Sequence, residues 1–219
     1  MDVAELSQVN QVLIDYWQQG GLVMVAWSPM NPWSINTVYY TDDVTIDELF
    51  DPNTLAYANW RDQMDTVADA LTELQEAGVV VLWRPIQEKN YIKYHWWGAN
   101  GSNSPTFYPK LYRQLYQYLT VDKGLNNLLW IYSPYSQYHS KRDVTLDYPG
   151  NDVVDIIGAT SYSSDLTFPT YQEYLSFNKP VAMTEYSNGH HITDKDHHNF
   201  DTMLYQKGWK KTTQPSHFG

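Results

Sequence analysis

The chain has 219 residues, 25 Asp and Glu against 14 Lys and Arg, and a formal net charge of −11. That acidic excess argues against a nucleic-acid ligand, whose phosphates need Lys and Arg; the absence of cysteine excludes disulfide scaffolds, iron–sulfur clusters, thiolate zinc and a cysteine nucleophile. Nine Trp and 19 Tyr stand in a chain only 18% charged, a balance that suits either an aromatic core or flat faces offered to a neutral, hydroxyl-rich ligand.

Residues 3–19 set Leu6, Val9, Val12, Leu13 and Trp17 at helical spacing and predict a first helix. Gly20-Gly21 then introduces a continuous apolar run, 22–27, with the character of a strand covered on both faces. Residues 60–77 form a second helix pattern, with Met64, Val67, Ala68, Leu71 and Leu74 on one face and Gly78 as a stop signal. A strand run follows at 79–83, then a polar loop at 98–105 and a helix at 107–119 carrying Leu111, Leu115, Tyr118 and Leu119. Further strand runs at 128–132, 153–157 and 180–183 alternate with a short helix at 170–177, and a last helix pattern lies at 200–208. No segment repeats, no run approaches the roughly 18 apolar residues of a membrane span, and no signal-peptide pattern follows Met1.

Strand and helix in regular succession indicate an α/β fold with a parallel sheet. No Gly-x-Gly-x-x-Gly or phosphate loop follows the first strand, which weighs against nucleotide binding. The residues with chemical character fall just past the C-terminal ends of strands, where a (β/α)8 TIM barrel places its site. Five strands are expected, whereas a full barrel has eight in about 250 residues. The expectation is one catalytic domain over residues 1–219, a truncated barrel lacking its first two strands and part of its last.

Two glutamates follow apolar runs: Glu88 after Arg84-Pro85-Ile86-Gln87, and Glu185 after Thr184. If both runs are barrel strands, both carboxyls reach one mouth of the barrel. Two carboxyls across a cleft can cleave a glycosidic bond, one protonating the leaving oxygen while the other attacks the anomeric carbon or activates water.

The segments 20–27 (GGLVMVAW), 84–88 (RPIQE), 96–98 (WWG), 125–130 (LNNLLW), 148–158 (YPGNDVVDIIG) and Thr184-Glu185 occur in this order over most of the chain. As an ordered set the sequence resembles the β-mannanase family, glycoside hydrolase family twenty-six, whose barrels carry glutamates after strands four and seven. The resemblance implies that strands one, two and most of eight are the missing ones. It also implies that Glu88 is the general acid/base and Glu185 the nucleophile of a retaining double displacement, with carboxyls about 5–5.5 Å apart. Arg84 is a candidate cation for keeping Glu185 ionised. Tyr162 would be the hydroxyl that orients the nucleophile. Trp27, Tyr94, Trp96 and Trp97 are candidates for stacking on sugar faces, with one of Trp96 and Trp97 expected to face the ligand.

Several positions depart from the family pattern. Gln87 stands where His commonly precedes the acid/base, Ser28 where Trp-His is usual after the third strand, and Thr160 where an Asp lies two before a Tyr. Residues 91–93 (YIK) replace glycines, with one extra residue before Trp96. These changes leave both glutamates in place and bear on sugar recognition near the cleaved bond; Gln87 can donate and accept a hydrogen bond there but not titrate.

The implied activity is an endo-acting β-1,4-mannan hydrolase with no cofactor. Other readings are a β-glucanase or xylanase on the same fold, or a non-catalytic glycan-binding barrel. His190-His191 and His197-His198, with Asp194 and Asp196 between them, lack the helical His-Glu-x-x-His spacing and read as a polar loop rather than a metal site. Asn100-Gly101-Ser102 fits a glycosylation sequon. The expected partner is a polysaccharide or oligosaccharide, with no nucleic acid or membrane. A monomer is expected for a complete barrel, and secretion follows from the substrate class.

Overall fold

The computed structural model describes residues 3–39, 45–91, 94–98, 106–136, 144–162 and 170–187. Five parallel strands form one sheet in chain order: β1 (Val23–Trp27), β2 (Val81–Pro85), β3 (Leu128–Tyr132), β4 (Ile156–Tyr162) and β5 (Val181–Ser187). Around them lie α1 (Val3–Gln18), α2 (Leu55–Glu76), α3 (Phe107–Tyr116), which runs on through a wider π turn at Gln117–Asp122, and the short α4 (Tyr171–Leu175). The expected helix at 200–208, the His190–His198 segment and the Asn100 sequon lie outside the described residues. No helix among the described residues is long and apolar enough to cross a membrane.

Helix ends and strand starts share one device. After α1, Gly20 adopts φ +86° and its N–H bonds the Trp17 carbonyl while that of Gly21 bonds Tyr16. After α2, Gly78 adopts φ +74°, its N–H bonds Gln75, and that of Val79 bonds Leu74. Each is a Schellman turn, which needs a left-handed residue and closes the last helical carbonyls. Each drops the chain directly into a strand. At its other end α2 starts five residues before its apolar periodicity suggests, because Thr54 accepts the Tyr57 N–H through Oγ1 at 3.2 Å and caps the helix.

Buried Trp60, Met64, Ala68, Leu71 and Leu74 line the inner face of α2, at intervals of three and four residues. Five of the nine tryptophans, Trp60, Trp83, Trp96, Trp97 and Trp130, are fully buried. More than half of the tryptophans therefore build the core.

The sheet is an open half-barrel. Arg84 on β2 and Glu185 on β5 have two strands between them, which in a flat sheet would separate their backbones by about 14 Å, at about 4.8 Å per strand. Their side chains meet at 2.6 Å, so the sheet curls toward its inner face. Among the described residues the outer side of β1 has no strand neighbour, and Leu22 and Met24 there are exposed.

Two strands differ from the sequence expectation. Val153 and Val154 are buried but precede β4, which continues instead through Gly158, Ala159, Thr160 and Ser161. The Asp155 carboxylate accepts the Trp130 N–H at 2.8 Å and pins this entry. The β4–β5 register pairs Ala159 with Met183 and then Thr160 with Glu185. Thr184 is the extra residue of a bulge, a device that re-aims side chains beside functional sites.

Candidate active site

The backbone after β2 is bent sharply. Ile86 and Glu88 both take left-handed conformations, φ +41° and +58°. Such conformations cost about 1–3 kcal/mol each in a non-glycine residue and persist only where the surroundings enforce them. Here the Ile86 N–H donates to the Trp27 carbonyl at 3.0 Å, and the Tyr108 hydroxyl donates to the Ile86 carbonyl at 3.0 Å. The Trp97 indole donates to the Gln87 carbonyl at 2.7 Å, and the Glu88 N–H to the Ser133 carbonyl at 2.7 Å. The clamp comes from β1, α3, the Trp96–Gly98 turn and the end of β3, and it offsets the strain while aiming Glu88.

Arg84 is 2% exposed and organises the floor of the site. Its guanidinium donates to Glu185 Oε2 at 2.6 Å, to Thr160 Oγ1 at 2.6 Å and to Ser133 Oγ at 2.9 Å. Arginine has no acceptor, so Ser133 receives this bond and passes its own hydrogen to Thr184 Oγ1, 3.0 Å away. Thr184 in turn donates to the Ala159 carbonyl at 3.2 Å. The bulge lets both Thr184 and Glu185 join this network, although neighbours on a regular strand face opposite sides.

The Glu88 carboxyl is held above the ordinary carboxylate range. Burial is the larger cause and the nearby Glu185 charge the second; Arg84 and a hydrogen bond from Thr160 pull it down. Its Oε1 is buried without a hydrogen-bond partner among the described residues. Glu88, raised by burial and with one oxygen unengaged among the described residues, thus stands near a second carboxyl held by Arg84: two carboxyls in unlike electrostatic settings.

Gln87 donates to Ser28 Oγ at 2.8 Å. Two departures from the family pattern thus contact each other, and a third, Thr160, is an Arg84 acceptor.

The expected stacking residues divide. Trp96 and Trp97 are 0% and 1% exposed, and their indole N–H groups bond the Pro29 and Gln87 carbonyls. Burial withdraws both from stacking on a ligand and makes them supports for the loops after β1 and β2. Trp27 is half-buried, with its ring stacked on Trp60 and Trp83 at centroid distances of 5.5 and 6.0 Å. Tyr94 is exposed. Tyr162 closes β4 opposite Ser187, and its side chain lies outside the described part.

Sequence reasoning missed His95, Asn90 and the two hydroxyls, Ser133 and Thr184. His95 is buried, stacks on Trp97 at 4.3 Å, and has its pKa lowered to about 4 by burial, partly opposed by Glu185. Asn90 exchanges two hydrogen bonds with the Tyr135 backbone, at 2.7 and 2.8 Å. Ser133 stands one residue past an apolar strand, the same positional signal that singled out the glutamates.

The profile of Glycosyl hydrolase family 26 matches residues 2–209. The chain belongs to this family. It is 35% identical over 206 residues to a mannan endo-1,4-beta-mannosidase of Bacillus subtilis, covering 90% of the chain and 56% of that protein. It is 36% identical to mannan endo-1,4-beta-mannosidase A and B of Caldalkalibacillus mannanilyticus, covering 90% of the chain and 40% of that protein. The solved structure of the Bacillus subtilis mannanase BCman superposes with a TM-score of 0.81 at 30% identity, over 96% of the chain and 61% of that structure. The chain thus spans about half the length of the family 26 relatives it matches.

Proposed function

We propose that the chain carries the catalytic centre of an endo-acting β-1,4-mannan hydrolase working by retaining double displacement. The observation that carries this reading is the pair of unlike carboxyls, Glu88 buried and raised, Glu185 bound to Arg84 at 2.6 Å. Glu185 attacks the anomeric carbon while Glu88 gives its proton to the departing glycosidic oxygen, leaving a glycosyl ester on Glu185. Glu88, now a carboxylate, takes a proton from water; that water attacks the same carbon and releases Glu185. Gln87, Tyr162 and the exposed edge of Trp27 are assigned to the sugar nearest the scissile bond, with Trp96 and Trp97 holding the loops behind them.

In a whole (β/α)8 barrel the five strands take positions three to seven, with strands one, two and most of eight not represented. Sequential parallel order and the placement of Glu88 and Glu185 after β2 and β5 support this numbering. A complete barrel of this kind would act as a monomer on extracellular polysaccharide.

Reducing-sugar release from β-1,4-mannan, xylan and mixed-linkage glucan tests the assignment, with mannan expected to be cleaved fastest. Glu185→Ala should abolish turnover, and azide should restore part of it on an activated aryl glycoside. Oligosaccharide binding without hydrolysis of any of the three would refute the enzyme reading in favour of a glycan-binding barrel.

A further inference from the structure

We propose that Tyr39, Tyr91 and Tyr94 form a second sugar-binding platform, which holds a hexose of a β-1,4-linked chain away from the scissile bond. The proposal rests on reading Glu88 and Glu185 as a glycosidic centre and extends it outward. Among the described residues the aromatic rings are buried or half-buried except Tyr16 and these three neighbouring tyrosines, which are 50%, 37% and 41% exposed. Their rings form one connected row. Tyr94 meets Tyr39 at 5.2 Å and 71° and Tyr91 at 4.9 Å and 65°, and Tyr91 meets the buried Tyr135 at 5.2 Å.

The row is continuous with the centre. Tyr91 stands three residues after Glu88 and its N–H donates to the Glu88 carbonyl at 2.9 Å, and the Glu88 charge acts on both Tyr94 and Tyr135. A chain seated with one bond at Glu88 would pass over these rings as it leaves.

The platform is built rather than loose. Residues Tyr39 and His95 pair as an antiparallel bridge, and the Trp96 N–H bonds the Val38 carbonyl at 3.2 Å. The Asn31 amide bonds the Tyr39 carbonyl at 3.0 Å, while the Tyr91 N–H bonds the Glu88 carbonyl at 2.9 Å. Fixing the backbone beforehand lowers the ordering cost of binding. Tyrosine offers an apolar face to the C–H side of a pyranose and a hydroxyl edge to its polar rim. Residues 91–93 also replace the glycines of the family pattern, so the platform is a property of this chain.

Calorimetry on the full chain carrying Glu88→Gln, which prevents turnover, tests the platform with β-1,4-mannohexaose and β-1,4-mannobiose. Tyr39→Ala and Tyr91→Ala should each weaken mannohexaose about tenfold, a loss of about 1.4 kcal/mol, with a smaller change for mannobiose. Tyr39→Phe, which keeps the ring, should retain the parent affinity. Near-UV circular dichroism establishes that each variant is folded, and Tyr39→Leu replaces any that is not. Equal losses for both sugars, no loss for either, or no mannohexaose binding by the parent would overturn the platform. Failure to hydrolyse mannan while mannohexaose binding still depends on Tyr39 would refute the hydrolase reading and leave the platform standing.

Discussion

Arg84→Lys keeps the charge and removes the fork. The guanidinium reaches three acceptors on three successive strands or strand ends: Ser133 after β3, Thr160 on β4 and Glu185 on β5. A lysine ammonium at the end of a flexible stem can keep Glu185 but cannot also span Thr160 and Ser133. Two hydrogen bonds to a charged donor are lost, at about 1.5–3 kcal/mol each. Both lost bonds end on neutral hydroxyls, so the low end of the range applies, about 3 kcal/mol in all. In a domain of this size that lowers Tm by about 6–12 °C. Thermal melts by circular dichroism measure the shift, and mannan hydrolysis by the same variant should lose kcat more than KM, since Thr160 and Ser133 no longer fix the cation that holds Glu185. A Tm within about 2 °C of the parent would refute the view that the guanidinium ties β2 to the far strands.

Removing the neighbouring charge should lower the Glu88 titration. With Glu185→Gln the second of the two causes raising its pKa disappears while burial remains, so carbon NMR should find the midpoint at lower pH yet still above an ordinary glutamate; a midpoint unchanged or raised would contradict the coupling. His95 is neutral when folded until about pH 4, whereas the unfolded imidazole gains its proton near pH 6.5. Stability is therefore intact above pH 6.5 and falls as pH drops toward 4. Denaturant titrations on His95→Phe should show a weaker fall over that window, and an identical fall would rule the imidazole out. Gly78→Ala places a Cβ in open space but at φ +74°, so backbone strain alone should cost about 1 kcal/mol; chemical denaturation with no loss would show that the turn relaxes.

The strands that run apolar on both faces, β1 to β3, are legible within a residue or two because burial wrote hydrophobicity into them. The body of β4 is not, since Thr160 and Ser161 are buried yet polar and carry no hydrophobic strand signature of their own. Glu88, Glu185 and Arg84 are legible because a charged residue just past an apolar run is conspicuous. The support is not. Whether Trp96 meets a sugar or the Pro29 carbonyl depends on a loop 67 positions away in sequence, and nothing local records it. Ser133 and Thr184 matter through partners across the sheet, and a serine or threonine looks the same with or without them.

The hydrogen-bond chain beneath the two carboxyls runs one way. Because it begins on a cation that only donates and ends on a carbonyl that only accepts, each hydroxyl between them has a single orientation. It therefore cannot work as a wire that hands protons back and forth under the sheet. In the mechanism proposed above, protons would then be exchanged with solvent at Glu88 rather than through this chain of hydroxyls.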